Sequence, residues 1–184
     1  MVCNHLYLAD PAYFMCRINR KMLVLGKKEL FEKRIPRWFF TNLNVVPLDR
    51  DNPSQQTLKK AVNTLKKEGI VLLFPEGTRN KENTDLMPFR DGAAMLALMT
   101  ESPIIPCYIA NRAGLWGKAK VYIGKPFELT EFYGQKATKE VCGEATQVIK
   151  DEIQLLKNVV DGFAQKKLKK AEKVLMISEY RDYQ

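Results

Sequence analysis

The segment Ile70-Val71-Leu72-Leu73-Phe74-Pro75-Glu76-Gly77-Thr78-Arg79 joins an unbroken apolar run of strand length to a loop of turn-forming and polar residues. No polar side chain interrupts Ile70 to Phe74, which suits a central parallel strand covered on both faces. Just upstream, Asn52-Pro53-Ser54 opens a helix whose apolar residues Leu58, Ala61, Val62 and Leu65 recur at helical spacing. Gly69 is expected to close that helix in the usual position beyond its last turn.

The alternation of helix and strand continues in both directions. Downstream, Ala93 to Met99 reads as a short apolar helix, Ile104 to Ile109 as a buried strand, and Lys120 to Ile123 as another, stopped by Gly124 and Pro126. Upstream, Leu23-Val24-Leu25 and Val45 to Leu48 are weaker strand candidates. The pattern predicts an α/β fold: a mixed, largely parallel central sheet flanked by helices. From about residue 137 to about 180 the chain reads as a helical extension, with Ile149, Ile153, Leu156, Val160 and Phe163 forming one stripe expected to pack on its own domain. A chain of 184 residues with 46% hydrophobic content suits a single domain over 1–184, with the motif-bearing core at 2–127.

Composition narrows the function classes. Lys plus Arg outnumber Asp plus Glu by 30 to 21, and this +9 charge favours an anionic partner: a phosphate ligand, an anionic lipid or nucleic acid. The lysines between Gln165 and Lys173 read as a solvated helix face or a contact for anionic headgroups. A nucleic-acid module is disfavoured, because no aromatics interleave with a basic sheet and no DNA-binding motif is present. Cys3, Cys16, Cys107 and Cys142 lack paired spacing, which speaks against a zinc site or a disulfide framework and suits a reducing compartment. No stretch is long and apolar enough to span a bilayer, and no signal-peptide pattern is present.

Two constellations carry chemistry. His5, the single histidine, heads the first in Asn4-His5-Leu6-Tyr7-Leu8-Ala9-Asp10. Histidine is the side chain suited to act as a base near neutral pH, and a turn between His5 and Asp10 would let the carboxylate accept the Nδ1 proton and leave Nε2 free. A structural reading competes, with Asp10 as helix N-cap and Pro11 as first helical residue. Cys3 shares a strand face with His5, so an acyl-enzyme route through its thiol is a further alternative to a plain buried thiol.

The second constellation is the loop after the apolar run. Gly77 permits close approach of the backbone to a ligand, and Arg79 offers a bidentate fork for phosphate. Glu76 suits orienting Arg79 or taking a hydroxyl better than holding an anion, and an ordinary polar turn is the alternative. Arg50, at the end of Pro47-Leu48-Asp49-Arg50, would reach the same strand ends and complete an anion clamp, or else form a surface ion pair with Asp49.

Taken in order, these segments resemble the glycerolipid acyltransferase family that includes bacterial 1-acylglycerol-3-phosphate acyltransferase. Asn4-His5 through Asp10 resembles its first block, N-H-x4-D, and Pro47 to Arg50 its second. Phe74 to Arg79 matches its third, F-P-E-G-T-R, and Pro103-Ile104-Ile105-Pro106 resembles its fourth. Phe89-Arg90-Asp91-Gly92-Ala93 and Gly124-Lys125-Pro126 stand where members carry similar motifs. The resemblance implies a glycerol-3-phosphate acyltransferase-like fold and transfer of a fatty acyl group to the free hydroxyl of a lysophospholipid, by default lysophosphatidate, giving phosphatidate. It implies His5 as general base with Asp10 behind it, and acceptor binding by Arg50, Glu76, Gly77, Thr78 and Arg79. Pro103, Ile104 and Pro106 would shape the acyl-donor side, with acyl-CoA or acyl carrier protein as donor and neither a metal nor a covalent acyl-enzyme. Such an enzyme would work peripherally at the anionic cytoplasmic face of a membrane.

Three departures from the family pattern stand out. Tyr7 replaces the usual Ser, and Asn44 and Pro47 occupy the places of a Gly and an aromatic in the second block. His5 also lies close to Met1, whereas members have a strand and a membrane-binding segment ahead of it. The expectation is either a natural start upstream of Met1 or a shortened, inactive relative that binds anionic lipid.

Overall fold

The computed structural model describes residues 1–31, 44–49, 54–82, 85–111, 119–166 and 175–176. They form two compact units, one of 1–19 with 74–184 and one of 20–73.

The unit of residues 20–73 holds a three-stranded sheet. Its strands are β2 (Met22–Lys27), β3 (Val45–Leu48) and β4 (Ile70–Leu72), in the order β3-β2-β4 with both pairings parallel. β2, the weaker candidate in the sequence, is the middle strand, and β4, expected to be central, lies at one end of this order. All three β4 residues are nonetheless buried. An apolar run records the burial of side chains and is silent about which strands flank them. Pro47 is accommodated in β3 because that strand too ends the order, where a missing N–H costs no ladder bond. Asn44, standing in the place of the family's Gly, adopts φ +54°, a left-handed conformation that Asn tolerates better than most residues, and its Nδ2 donates to the Met22 carbonyl at 2.6 Å.

An α-helix of this unit, α2, runs Gln55–Lys66, with the Ser54 side chain accepting from the Thr57 N–H at 3.1 Å as N-cap. Its end differs from expectation. Glu68, not Gly69, takes the left-handed position, at φ +57°. Glu68 and Gly69 return their N–H groups to the Leu65 and Thr64 carbonyls, both at 2.9 Å, which is a Schellman closure. Gly69 is required for a different reason: a Cβ there would lie 2.7 Å from Thr64 Cγ2.

In the other unit, β1 (Val2–Cys3), β5 (Pro106–Ile109), β6 (Val121–Ile123) and β7 (Leu175–Met176) form a sheet in that order. β1 pairs parallel with β5, while β5–β6 and β6–β7 are antiparallel. The parallel-rich α/β architecture is therefore carried by two sheets, one in each unit. Among the described residues, three α-helices belong to this second unit: α1 (Asp10–Met15), α3 (Gly92–Thr100) and α4 (Lys139–Lys166). Four members of the α4 stripe pack as expected, with Ile149, Ile153, Leu156 and Val160 buried and Leu156 and Val160 clustered on Tyr108 of β5, while the Phe163 side chain lies outside those described. Each such side chain contributes about 1.5–3 kcal/mol on burial. The helical tail anticipated to about residue 180 is helix to Lys166, and Leu175–Met176 pairs with β6 instead. Among the described residues, no helix is long and apolar enough to cross a membrane.

Candidate active site

β1 delivers the chain to His5. Its ladder with β5 pairs Cys3 with Cys107, and the next residue, Asn4, continues the pairing with its side chain. Asn4 Nδ2 donates to the Ile109 carbonyl at 3.0 Å, and the Ile109 N–H donates to Asn4 Oδ1 at 2.7 Å. A side-chain amide thus stands in for a peptide group, which frees the main chain at His5 to leave the sheet while β5 keeps its partners.

The turn from His5 to Asp10 closes around one oxygen. Asp10 Oδ2 accepts from the Leu6 N–H at 2.7 Å and the Tyr7 N–H at 2.8 Å, and lies 2.8 Å from His5 Nδ1. With two main-chain donors already aimed at it, Oδ2 is an acceptor toward the ring, so Nδ1 is the donor, and in the neutral imidazole this leaves the lone pair on Nε2. Asp10 is 1% exposed, and His5 keeps 16% of its side chain accessible. The competing N-cap reading of Asp10 fails: Ala9 is the N-cap residue of α1, and the Asp10 carboxylate turns back to the His5 loop.

The loop after Phe74 meets this turn. Gly77 returns its N–H to the Phe74 carbonyl at 3.0 Å, closing a four-residue turn with Pro75 in its second place and Gly77, at φ +68°, in its fourth. The Asn80 N–H donates to the His5 carbonyl at 2.7 Å, the Arg90 N–H to the Pro75 carbonyl at 2.9 Å, and Asn80 Nδ2 to the Asp85 carbonyl at 2.6 Å. The Phe74 ring stacks on the His5 imidazole with centroids 4.3 Å apart and planes inclined by 28°. Thr78 and Arg79 are exposed, and Arg79 is one peptide step, about 3.8 Å between Cα atoms, from the residue bonded to His5.

Glu76 is the unsatisfied member. It is 5% exposed, and neither carboxyl oxygen has a hydrogen-bond partner among the described residues. Burial raises its pKa to about 7, against the opposing pull of the Met87 main chain and the Lys150 ammonium. Near neutral pH it can therefore donate or accept a hydrogen bond, which suits a substrate hydroxyl.

The fold thus pairs His5 with Asp10 and ties the main chain of His5, through Asn80, to the loop that carries Glu76, Gly77, Thr78 and Arg79. Arg50 lies outside the described residues. Pro103 is exposed, Ile104 is bridged to Phe127, and Pro106 is buried in β5 opposite Val2. Cys3 is fully buried and its thiol is pushed well above the usual range, foremost by desolvation, so it is held neutral and unsuited to the acyl-enzyme route. No group of His, Cys, Asp and Glu side chains suited to a metal ion occurs among the described residues. Sequence reasoning gave no role to Asn4, Asn80 or the Phe74 ring. Only the position of Asn4 and Phe74 inside the quoted motifs hinted at them.

A parallel-rich α/β chain that presents an imidazole, backed by a buried carboxylate, at the exit of a strand has the equipment of a general-base transferase. Residues 1–110 match the family model described as Acyltransferase, and the chain belongs to that family. It is 32% identical over 142 residues to the 1-acyl-sn-glycerol-3-phosphate acyltransferase of Bacillus subtilis, covering 74% of this chain and 69% of that one. The enzyme of the same name from Streptococcus pneumoniae is 27% identical over 161 residues, covering 84% of this chain and 57% of its own length. In three dimensions the chain is similar to the crystal structure of the 1-acyl-sn-glycerophosphate (LPA) acyltransferase, PlsC, from Thermotoga maritima, with a TM-score of 0.58 and 25% identity. That match covers 85% of this chain and 65% of the Thermotoga chain.

Proposed function

We propose that this acyltransferase moves a fatty acyl group from acyl-CoA or acyl carrier protein to the free hydroxyl of 1-acyl-sn-glycerol-3-phosphate. The observation that carries the reading is the 2.8 Å pairing of His5 Nδ1 with the buried Asp10 carboxylate, beside the loop that holds Glu76 and Arg79. The names of the relatives from Bacillus and Streptococcus support the choice of acceptor.

The reaction asks little of the protein beyond a base and a grip. A thioester already has a good leaving group, so deprotonating the hydroxyl and holding it against the carbonyl supplies most of what is needed. The hydroxyl oxygen attacks the thioester carbon as its proton passes to His5 Nε2. Collapse of the tetrahedral adduct breaks the C–S bond, and the departing thiolate takes that proton from the imidazolium. Asp10 stays ionised and steadies the imidazolium. Arg79, with Arg50, grips the acceptor phosphate, Gly77 and Thr78 line the approach, and Glu76 meets the glycerol. Pro103, Ile104 and Pro106 lie toward the acyl donor.

A lipid acceptor suits the surface around the base. Leu8, within the His5–Asp10 turn, is 45% exposed, and the chain carries +9 overall. We place the enzyme peripherally on an anionic membrane, where the lysolipid enters from the interface.

The test is thiol release from acyl-CoA or acyl carrier protein on adding lysophosphatidate, with phosphatidate identified as product. A His5→Ala protein that retained the full rate would overturn the assignment. Sedimentation with anionic vesicles in the absence of any thiol release would favour a lipid-binding relative.

A further inference from the structure

The hydrogen bond from Nδ1 to Asp10 holds one point of the His5 ring. A ring held at one point can still swing about that contact and carry Nε2 through an arc. The Phe74 ring lies over one face of the imidazole at 4.3 Å, where it blocks that swing. Both partners stand on fixed main chain. Phe74 opens the turn closed by the Gly77 N–H at 3.0 Å, and the His5 carbonyl is bonded to the Asn80 N–H at 2.7 Å. The stack joins groups 69 positions apart in sequence, from residue 5 to residue 74, so it is a product of the fold and not of a local turn.

The geometry points to Phe74 as a positioning residue for the base: its ring fixes the plane of the His5 imidazole and so the direction of Nε2. A second effect acts during proton transfer. As the imidazole takes the hydroxyl proton it becomes a cation, and the negative face of an aromatic ring attracts a cation placed over it. Asp10 then stabilises that charge in the plane of the ring, and Phe74 from above it. The catalytic part of this inference rests on the acyl-transfer reading, whereas the positioning part does not.

Because His5 is the single histidine, its ring C–H resonances can be followed without ambiguity. The experiment compares Phe74→Leu and Phe74→Tyr in the full chain by proton NMR and by thiol release from acyl-CoA with lysophosphatidate. In the wild type and in Phe74→Tyr, the ring current should hold the His5 C–H resonances upfield; in Phe74→Leu they should move downfield. Phe74→Leu should lower kcat about fivefold while leaving KM for both substrates nearly unchanged, and Phe74→Tyr should restore kcat. Should the Leu protein fail to fold, Phe74→Met replaces it, because it too lacks an aromatic face.

Resonances that stay in place in the Leu protein overturn the stack. A kcat that is unchanged in Phe74→Leu, or lowered equally in Phe74→Tyr, overturns the catalytic role. A wild-type chain that shows the resonance shift yet releases no thiol overturns the acyl-transfer reading and the catalytic part with it, and supports the positioning of the ring.

Discussion

The main-chain N–H of Asn80 donates to the carbonyl oxygen of His5 at 2.7 Å. This bond makes the loop carrying Glu76, Gly77, Thr78 and Arg79 part of the mount of the imidazole. A phosphate gripped at Arg79 would be registered against Nε2 by main-chain contacts, which are stiffer than a reach between two long side chains. Acyl transfer to a gripped acceptor depends on such registration, because misplacement of about 1 Å can cost 10²-fold in rate.

His5→Ala removes the only imidazole and should lower turnover by about 10²–10⁴-fold. Far-UV circular dichroism should stay unchanged, since the ring itself makes one hydrogen bond. Thiol-release assays on the purified protein check both points.

Asp10→Asn and Asp10→Ala should separate two jobs of one carboxylate. The Asn protein can still accept from the Leu6 and Tyr7 N–H groups but no longer holds the imidazolium, so kcat should fall by about 10²-fold or more with modest loss of stability. The Ala protein leaves those donors and the ring without an acceptor and should also lose about 2–4 kcal/mol, read by urea unfolding.

Glu76 makes stability depend on pH, and the sign follows from its raised pKa. Below about pH 4.5 both the folded and unfolded carboxyls are protonated and no penalty exists. Between 4.5 and about 7 the unfolded state ionises while the buried carboxyl stays protonated, so folding stability falls as pH rises. The full penalty is on the order of 3 kcal/mol and is complete above about pH 7. Glu76→Gln should match the wild type near pH 4.5 and melt at a higher temperature at pH 8. Parallel melting curves for the two proteins check it, and a constant offset at all pH values would contradict it.

The cysteines should differ sharply in reactivity. Cys16 is exposed, whereas Cys3, Cys107 and Cys142 are buried, with the Cys107 thiol pushed up to about 12 by desolvation. Native protein should release one equivalent of chromophore rapidly to a disulfide reagent and four after denaturation. A Cys16→Ser protein should release none rapidly, and Cys3→Ala should keep its turnover.

Much of this was legible in the sequence wherever a pattern is local. The periodicity of Leu58 to Leu65 gave α2 and the stripe from Ile149 to Val160 gave α4, because a helix repeats within a few residues. The places of His5, Asp10, Glu76 and Arg79 were visible through a motif resemblance; the bond lengths now join His5 to Asp10, and the main chain of His5 to Asn80 at the end of the loop that carries Glu76 and Arg79. Other features were out of reach for physical reasons. β2 looked weak because Gly26 and Lys27 dilute its apolar run, yet its middle place is set by pairing with β3 and β4 from distant segments. The Asn4–Ile109 amide bonds and the Phe74 stack are long-range contacts that no spacing rule reports. The spacing of His5 and Asp10 was equally compatible with a helix cap, until the carboxylate was seen to face backward.

The amide of Asn4 has a temporal consequence. Its partner Ile109 lies 105 positions further along the chain, so the strand exit that carries His5 cannot be clamped to β5 until that residue has been made, although Asp10 can reach the ring earlier. At ribosomal speeds of about 5–20 residues per second, the first residues emerge roughly 5–20 seconds before their clamp does. During that interval the nascent chain carries the His5–Asp10 turn unanchored to β5, and a loop of that length must close before the turn is fixed. Anchoring of the imidazole is therefore late relative to the making of the His5–Asp10 turn itself, and a chain interrupted before Ile109 would hold every residue of the first three motifs without the amide clamp beneath that turn.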